Sequence, residues 1–321
     1  MQELIERAKQ LLTDGQVTRV LGWRMGDLTY NPEPAYFETV EDLKNFTYNG
    51  FCGANLSKYL IQVAVPTAVF LRPCDTYSFN QLLKENQIDR EKVYIIGVGC
   101  RGTLDVNLIK ARGAKGILGI TGSEIGPLIV ETLHGEMTIS YQDVLLERCR
   151  TCKGKVHMIY DEIIGSSEET CDLGRFEEVE KIEQMSPEER FAYFKQALSP
   201  CIRCNACRNV CPACSCLKCV FDSPKFDSEQ KANVESFEEK MFHIIRSLHV
   251  AGRCSDCGEC SRVCPQEIPL HVFNRKLIKD INQMYGDFQA GMDTEAKGPL
   301  TDFTLNDVHP NKTRKGGLND V

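Results

Sequence analysis

The sequence predicts an α/β protein: a core domain built on a mainly parallel sheet, followed by a C-terminal α-rich, cysteine-dense domain. Three observations carry this. Short β-rich apolar runs alternate with helical stretches through the first half, the pattern of parallel strands buried on both faces. The 321 residues exceed the usual size of one domain. The 17 cysteines are unevenly spread, six before residue 200 and eleven between Cys201 and Cys264.

Each element follows from its pattern. Glu3 to Leu12 repeats apolar residues at helical spacing (Leu4, Ile5, Ala8, Leu11, Leu12) and stops at Asp14-Gly15. Val17 to Trp23 reads as a strand and Asn55 to Gln62 as a helix. Thr67 to Leu71 is a short buried strand, with a helix over Asp75 to Lys84. Lys92 to Val98 is another, with a helix from about Leu104 to Lys110, and Ile117 to Ile120 is a third. Val156 to Ile164 supplies a further strand and closes the core domain, residues 1–165. Residues 166–198 hold an acidic connector (Glu168, Glu169, Glu177, Glu178, Glu180, Glu183) and then a helix to Leu198. Ser186 caps that helix, with Pro187 at its first position and Glu189 at the capping-box position. In the cysteine-dense domain, residues 199–290, Phe237, Met241, Ile244, Ile245 and Leu248 define the apolar face of one helix. Leu270, Phe273, Leu277, Ile281 and Met284 define another behind Pro269. Residues 291–321 read as an extended tail.

Composition narrows the function. Hydrophobic residues make up 42% and charged residues 26%, ordinary globular values. The net charge of -7 argues against a nucleic-acid partner, whose binder carries a basic patch. The most apolar stretch, Tyr59 to Leu71, is interrupted by Gln62, Pro66 and Thr67, which excludes a membrane span of the usual length there. MQELIERAKQ mixes Glu, Arg and Lys where a secretory signal would place an apolar run. A cytoplasmic protein is expected. In that reducing compartment 17 cysteines point to metal or redox chemistry and not to a disulfide framework.

Cys201-x2-Cys204-x2-Cys207-x3-Cys211-Pro212 is repeated as Cys254-x2-Cys257-x2-Cys260-x3-Cys264-Pro265. This is the bacterial ferredoxin spacing for 4Fe-4S clusters, in which the fourth cysteine ligates the other cluster. Cys201, Cys204, Cys207 and Cys264 therefore form one ligand set, and Cys254, Cys257, Cys260 and Cys211 the second. Zinc also uses four cysteines, but zinc knuckles do not need two complete runs with proline after each last cysteine. Cys214, Cys216 and Cys219 extend the first run, either as a further metal site with Cys52 or Cys171 or as buried inert thiols. Cys74 and Cys100 follow strands, at the carboxyl edge where open α/β sheets place ligands. Cys149 and Cys152 add a C-x2-C pair, and the four could close a third cubane or be core packing. Gly97-x-Gly99-x-x-Gly102 matches a dinucleotide-binding turn, with Glu124 beyond it. It lies outside the first βα unit and has Cys100 where the pyrophosphate would sit, so a turn that frees space around a cluster is the simpler explanation.

From about residue 10 to 165 the chain resembles the coenzyme F-420 hydrogenase/dehydrogenase beta-subunit family. The matching features are Pro73-Cys74 after a strand, Ile96-Gly97-x-x-Cys100, and Cys149-x2-Cys152 before the acidic, glycine-ended run DEIIG. The resemblance implies that Cys74, Cys100, Cys149 and Cys152 hold a 4Fe-4S cluster beside FAD. Family members begin with a further strand and a Gly-Gly loop that helps hold the flavin. Here the first helix stands before Asp14-Gly15 with no such loop upstream, which leaves FAD as an alternative. The C-terminal part, with the run GRCSDCGECSRVCPQEIPL, resembles the dicluster ferredoxin domain of formate dehydrogenase beta subunits. The expectation is three 4Fe-4S clusters in an electron-transfer subunit of a hydrogenase, formate dehydrogenase or heterodisulfide-reductase type complex. Its partners would be flavin-, nickel- or molybdenum/tungsten-bearing subunits. The rival is an FAD-containing chain that reduces or oxidises a deazaflavin or NAD(P)H.

Overall fold

The computed structural model describes residues 1–122, 126–154, 156–165, 174–222 and 236–300, with residues 236–239 described by backbone alone. Helix α1 (Gln2–Thr13) buries Leu4, Ala8 and Leu11 against the sheet, as its apolar spacing requires. Strand β1 (Arg19–Arg24) pairs antiparallel with β2 (Glu33–Phe37), from Val20↔Phe37 to Arg24↔Glu33. Strand β3 (Thr67–Leu71) runs parallel to β1 and leads into α2 (Pro73–Lys84). Strand β4 (Val93–Val98) runs parallel to β3 with Val69 opposite Ile95, and α3 (Val106–Ala111) follows. Trp23, Phe70, Leu71, Ile95 and Ile96 are fully buried at the centre of this layer.

Three expectations change here. Ile117–Gly122 is strand β5 of a separate antiparallel sheet with β6 (Leu128–Thr132) and β7 (Gly135–Ile139). β6 alternates buried and exposed residues, so this sheet is covered on one face only, unlike β3, whose five residues are all buried. The parallel partner of β4 comes after the short helix α4 (Glu147–Arg150): it is β8 (Glu162–Ile164), the end of the expected Val156–Ile164 strand. The main sheet therefore runs β2-β1-β3-β4-β8. Asn55–Gln62 is not a regular helix but a 3-10 turn over Leu56–Leu60, with the Asn55 side chain accepting from the Ser57 N–H.

The acidic connector also folds further than expected. Helix α5 (Glu177–Glu183) buries Val179 and Ile182 against Val272, while Glu183 pairs with Lys276 and Lys279. Glu168 and Glu169 lie outside the described residues. Helix α6 (Pro187–Leu198) carries the capping box: Ser186 Oγ accepts from the Glu189 N–H, and the Glu189 carboxylate accepts from the Ser186 N–H. After α7 (Ala206–Asn209), helix α8 (Ser236–His249) turns a different face inward from the apolar one in its sequence. Phe242, His243 and Arg246 are buried, whereas Met241, Ile244 and Leu248 are 39%, 42% and 55% exposed. Helices α9 (Glu259–Arg262) and α10 (Leu270–Tyr285) complete the fold. In α10, Leu270 and Ile281 are buried as expected, but Phe273 and Leu277 are only half-buried and Met284 is exposed, while Ile278 and the polar Asn274 and Arg275 are buried in their place. Beyond α10 the chain returns to α2. Asn80 Nδ2 donates to the Gly291 carbonyl at 3.0 Å and Lys84 Nζ to that of Ala296 at 2.6 Å. Gly291 (φ +76°) lies so close that a Cβ would stand 1.8 Å from the Tyr77 carbonyl oxygen. The first part of the expected tail is thus packed, and residues 301–321 lie outside the described residues.

Candidate iron-sulfur sites

The parallel sheet builds the first site at its carboxyl edge. β3 delivers Cys74 to the first turn of α2, and β4 delivers Cys100 to the loop beyond its end. Helix α4 carries Cys149, and Cys152 follows it. These four thiols line one cavity with Gly102, Thr103, Arg148 and Gly154. The N–H of Gly102 donates to Cys100 Sγ (3.4 Å) and that of Thr103 to Cys149 Sγ (3.2 Å). Gly102 has φ +100°, and a Cβ there would meet the Leu145 side chain at 2.7 Å and Cys149 Cβ at 3.2 Å. The third glycine of the G-x-G-x-x-G run thus lets the chain pass close to a thiol at the cavity wall. Glu124 lies outside the described residues.

Burial dominates the thiols' electrostatics. It pushes Cys74 and Cys100 upward, and it pushes Cys152 up to about 12 with help from Cys149 and Cys100. Thiols held protonated by burial in this way give up their protons on binding a metal. Arg72, buried beside them, forks onto Asp75 and donates to the carbonyls of Cys52 and Ala54, which pins the loop of residues 52–54 to the start of α2.

The two ferredoxin runs fold alike. In each, the residues before and after the second cysteine are left-handed: Arg203 and Asn205 in the first, Asp256 and Gly258 in the second. Successive turns of this kind aim backbone N–H groups inward, as anion-holding nests do. The N–H groups of Asp256, Glu259 and Ser261 face Cys254, Cys257 and Cys260. A short helix, α7 or α9, then leads to Cys-Pro in each run. Cys201, Cys204, Cys207 and Cys264 line one cavity with Phe242 and His243. His243 Nε2 is 3.3 Å from Cys201 Sγ, and burial beside Arg246 and Arg203 pushes the imidazole down to about 3, so it is neutral. Cys211 leaves its own run and acts electrostatically on Cys254, Cys257 and Cys260.

The donor sets fit cubanes. Among the described residues no three His, Cys, Asp or Glu side chains converge as ligands of a single ion would. The thiols surround space instead, the arrangement needed when each binds a different iron. A second sign of fit is Arg246. It is buried beside thiols of both runs, yet Nε, Nη1 and Nη2 find no sound hydrogen bond in the polypeptide. A buried guanidinium of that kind requires anionic acceptors. The two cavities at the core site are walled by thiols and glycines together with Tyr77, Arg148, Lys153, Arg175 and Asp256.

Sequence reasoning missed how closely the core site abuts the second run. Arg148 of α4 meets Glu259 of α9 at 2.5 Å, both buried. Ser78 of α2 bonds Ser255 at 2.6 Å. Asp256, held below the usual carboxylate range by Arg275 and Arg175 against the cost of burial, joins α10 to the second run. Arg275 in turn donates to Thr151, beside Cys152. Cys214, Cys216 and Cys219 line another cavity with Lys58, Arg208 and Arg253. Cys52 does not join them: it is buried near Asn49, whose N–H donates to its sulfur at 3.3 Å. Cys171 lies outside the described residues.

Fold and sites together define an iron-sulfur protein of the dicluster type. Residues 197–268 match the 4Fe-4S dicluster domain. Beyond that domain, the chain is similar over most of its length to curated β subunits. It is 25% identical to F420-dependent formate dehydrogenase subunit beta of Methanocaldococcus jannaschii, covering 84% of this chain and 87% of the relative. It is 26% identical to F420-dependent formate dehydrogenase 1 subunit beta of Methanococcus maripaludis, with 91% of each covered. A structure of the F420-reducing [NiFe] hydrogenase complex from Methanosarcina barkeri aligns with 63% of this chain and 90% of that chain, at 13% identity and a TM-score of 0.38. No helix among the described residues is long and apolar enough to cross a membrane.

Proposed function

We propose that this chain is an iron-sulfur electron-transfer subunit of a cytoplasmic multi-subunit oxidoreductase, relaying single electrons between partner centres through three 4Fe-4S clusters. Residues 1–165 would carry the core cluster on Cys74, Cys100, Cys149 and Cys152. Residues 199–290, joined by 166–198, would carry the other two on Cys201, Cys204, Cys207 and Cys264, and on Cys254, Cys257, Cys260 and Cys211. The observation that carries this reading is the shared wall between the core thiols and the second run: Cys74, Cys152, Ser255 and Asp256 line one cavity. Three sets then follow in order: core, second run, first run. Bound there, the clusters supply one-electron chemistry. The polypeptide excludes water, directs N–H groups at sulfur and fixes the spacing.

The outer end of this series offers a docking surface. Phe191, Met241, Ile244, Leu248, Phe273 and Leu277 line an apolar groove beside the first run, rimmed by Arg190, Lys240 and the Lys276–Glu183 ion pair. Exposed apolar surface with a charged rim is the mark of an interaction site. A partner subunit bearing flavin, nickel, molybdenum or tungsten would sit there with an acidic rim of its own. A second reading, in which the chain carries FAD and exchanges electrons with a deazaflavin, draws on the two relatives, each of which is a subunit of an F420-dependent enzyme.

Anaerobic reconstitution of the full chain tests both. The first reading expects about twelve irons, reduction by a strong artificial reductant, and no turnover with NADH, NADPH or a deazaflavin until a partner is added. One bound FAD with steady deazaflavin turnover by the single chain overturns it in favour of the second.

A further inference from the structure

Arg246 projects from α8 into the space between the two ferredoxin runs. It is 2% exposed, and none of its three guanidinium nitrogens makes a hydrogen bond of good geometry within the polypeptide, although the Cys260 sulfur lies close by. Its electrostatic neighbours are, in order, Cys260, Cys207, Cys211 and Cys214. Two of these, Cys260 and Cys211, belong to one proposed ligand set, and Cys207 belongs to the other. Cys207 and Cys260 also act directly on each other. Arg246 thus stands where the two sets come nearest. Among the described residues it forms no ion pair with a carboxylate, in contrast to four of the other buried arginines; Arg203, also buried, lies over the Phe242 ring instead. Arg72 has Asp75, Arg148 has Glu259, and Arg175 and Arg275 share Asp256.

We propose that Arg246 is a shared counter-ion of the two ferredoxin-type clusters, a positioning residue that raises both reduction potentials and leaves the core cluster unaffected. The proposal rests on the dicluster reading above. A fixed positive charge in a water-free site stabilises the more negative, reduced state of any redox centre it faces. Because the fork reaches sulfurs of both sets, one side chain biases both centres in the same direction. The core thiols line a separate cavity to which Arg246 does not contribute.

The test uses the full chain, reconstituted anaerobically, as wild type, Arg246→Gln and Arg246→Lys. Potentials are read by redox titration followed by electron paramagnetic resonance. Wild type comes first: if residues 199–290 hold no clusters, the dicluster reading itself fails before the variants are compared. In Arg246→Gln both ferredoxin-type signals should titrate at lower potential, with reduction equilibria weakened on the order of tenfold or more, while the core signal stays in place. Arg246→Lys restores the charge and should recover part of the shift. Should the glutamine variant fail to assemble these two clusters while the lysine variant assembles them, the charge is again what matters. Full iron content with unchanged potentials in Arg246→Gln overturns the proposal. So do equal shifts in both variants, or failure of both to assemble, because shape and packing would then account for the residue.

Discussion

At the scale of single residues, two contrasting positions can be tested. Cys74 lies in a cavity with Cys100, Cys149 and Cys152 and apart from the cavity of the first run. Cys74→Ala should lower the iron content by about four atoms and leave two signals in redox titration; unchanged iron would remove Cys74 from the ligand set. Glu259 is fully buried and is held down to about 2 by Arg262 and Arg148, with burial opposing them. Replacing it with glutamine leaves Arg148 buried and partly unpaired. The expected loss is about 3–5 kcal/mol, read by denaturant titration of the holoprotein. The companion change Arg148→Met, Glu259→Met should cost less, since removing a buried pair together is milder than orphaning one charge.

Helix α8 is the informative element. Its most apolar stripe, Met241, Ile244 and Leu248, faces outward, and its inward face carries Phe242, His243 and Arg246. Ile244→Ser should therefore change stability by no more than about 0.5 kcal/mol and weaken binding of the partner subunit. Phe242→Ala should cost about 3–5 kcal/mol, because Phe242 packs on Phe221 in the cluster-bearing core. Equal stability losses would mean the face is not free for a partner. Periodicity shows that a helix is amphipathic but not which side meets the core when that core is lined by thiols. The strands β3 and β4 were legible because both faces of each are apolar. Strand β2 was hidden by Pro32 and Pro34, which are tolerated because it is an edge. Strand β8 was overestimated because only three of its residues reach β4.

Across the whole molecule, the cysteine runs could be read locally from their spacing, whereas the core thiols come from three segments and needed a family resemblance to unite them. No pattern announced the junction between core and second run, since Arg148–Glu259, Ser78–Ser255 and Asp256–Arg275–Thr151 link residues distant in sequence. That junction predicts coupled stability. Stripping iron with a chelator under air should loosen both halves together, because ligation would tie three core loops to one another and the two cysteine runs to each other, while the junction's ion pairs join the halves. Hydrogen exchange should rise in β3 and β4 as well as around Cys254–Cys264; protection retained in the sheet would show that the halves are independent.

The return of the chain from α10 to α2 also bears on how the protein is made. Gln289 forms part of the wall beside Cys74 and Cys152, and Gly291 seats against Tyr77. All four core thiols leave the ribosome well before either residue. At usual rates of synthesis the interval is on the order of ten seconds. During it the sheet edge is open and its thiols face solvent and whatever delivers iron. Docking of the Gln289–Gly291 strap completes the wall beside Cys74 and Cys152, so a cluster at the proposed core site would have to be loaded before that step.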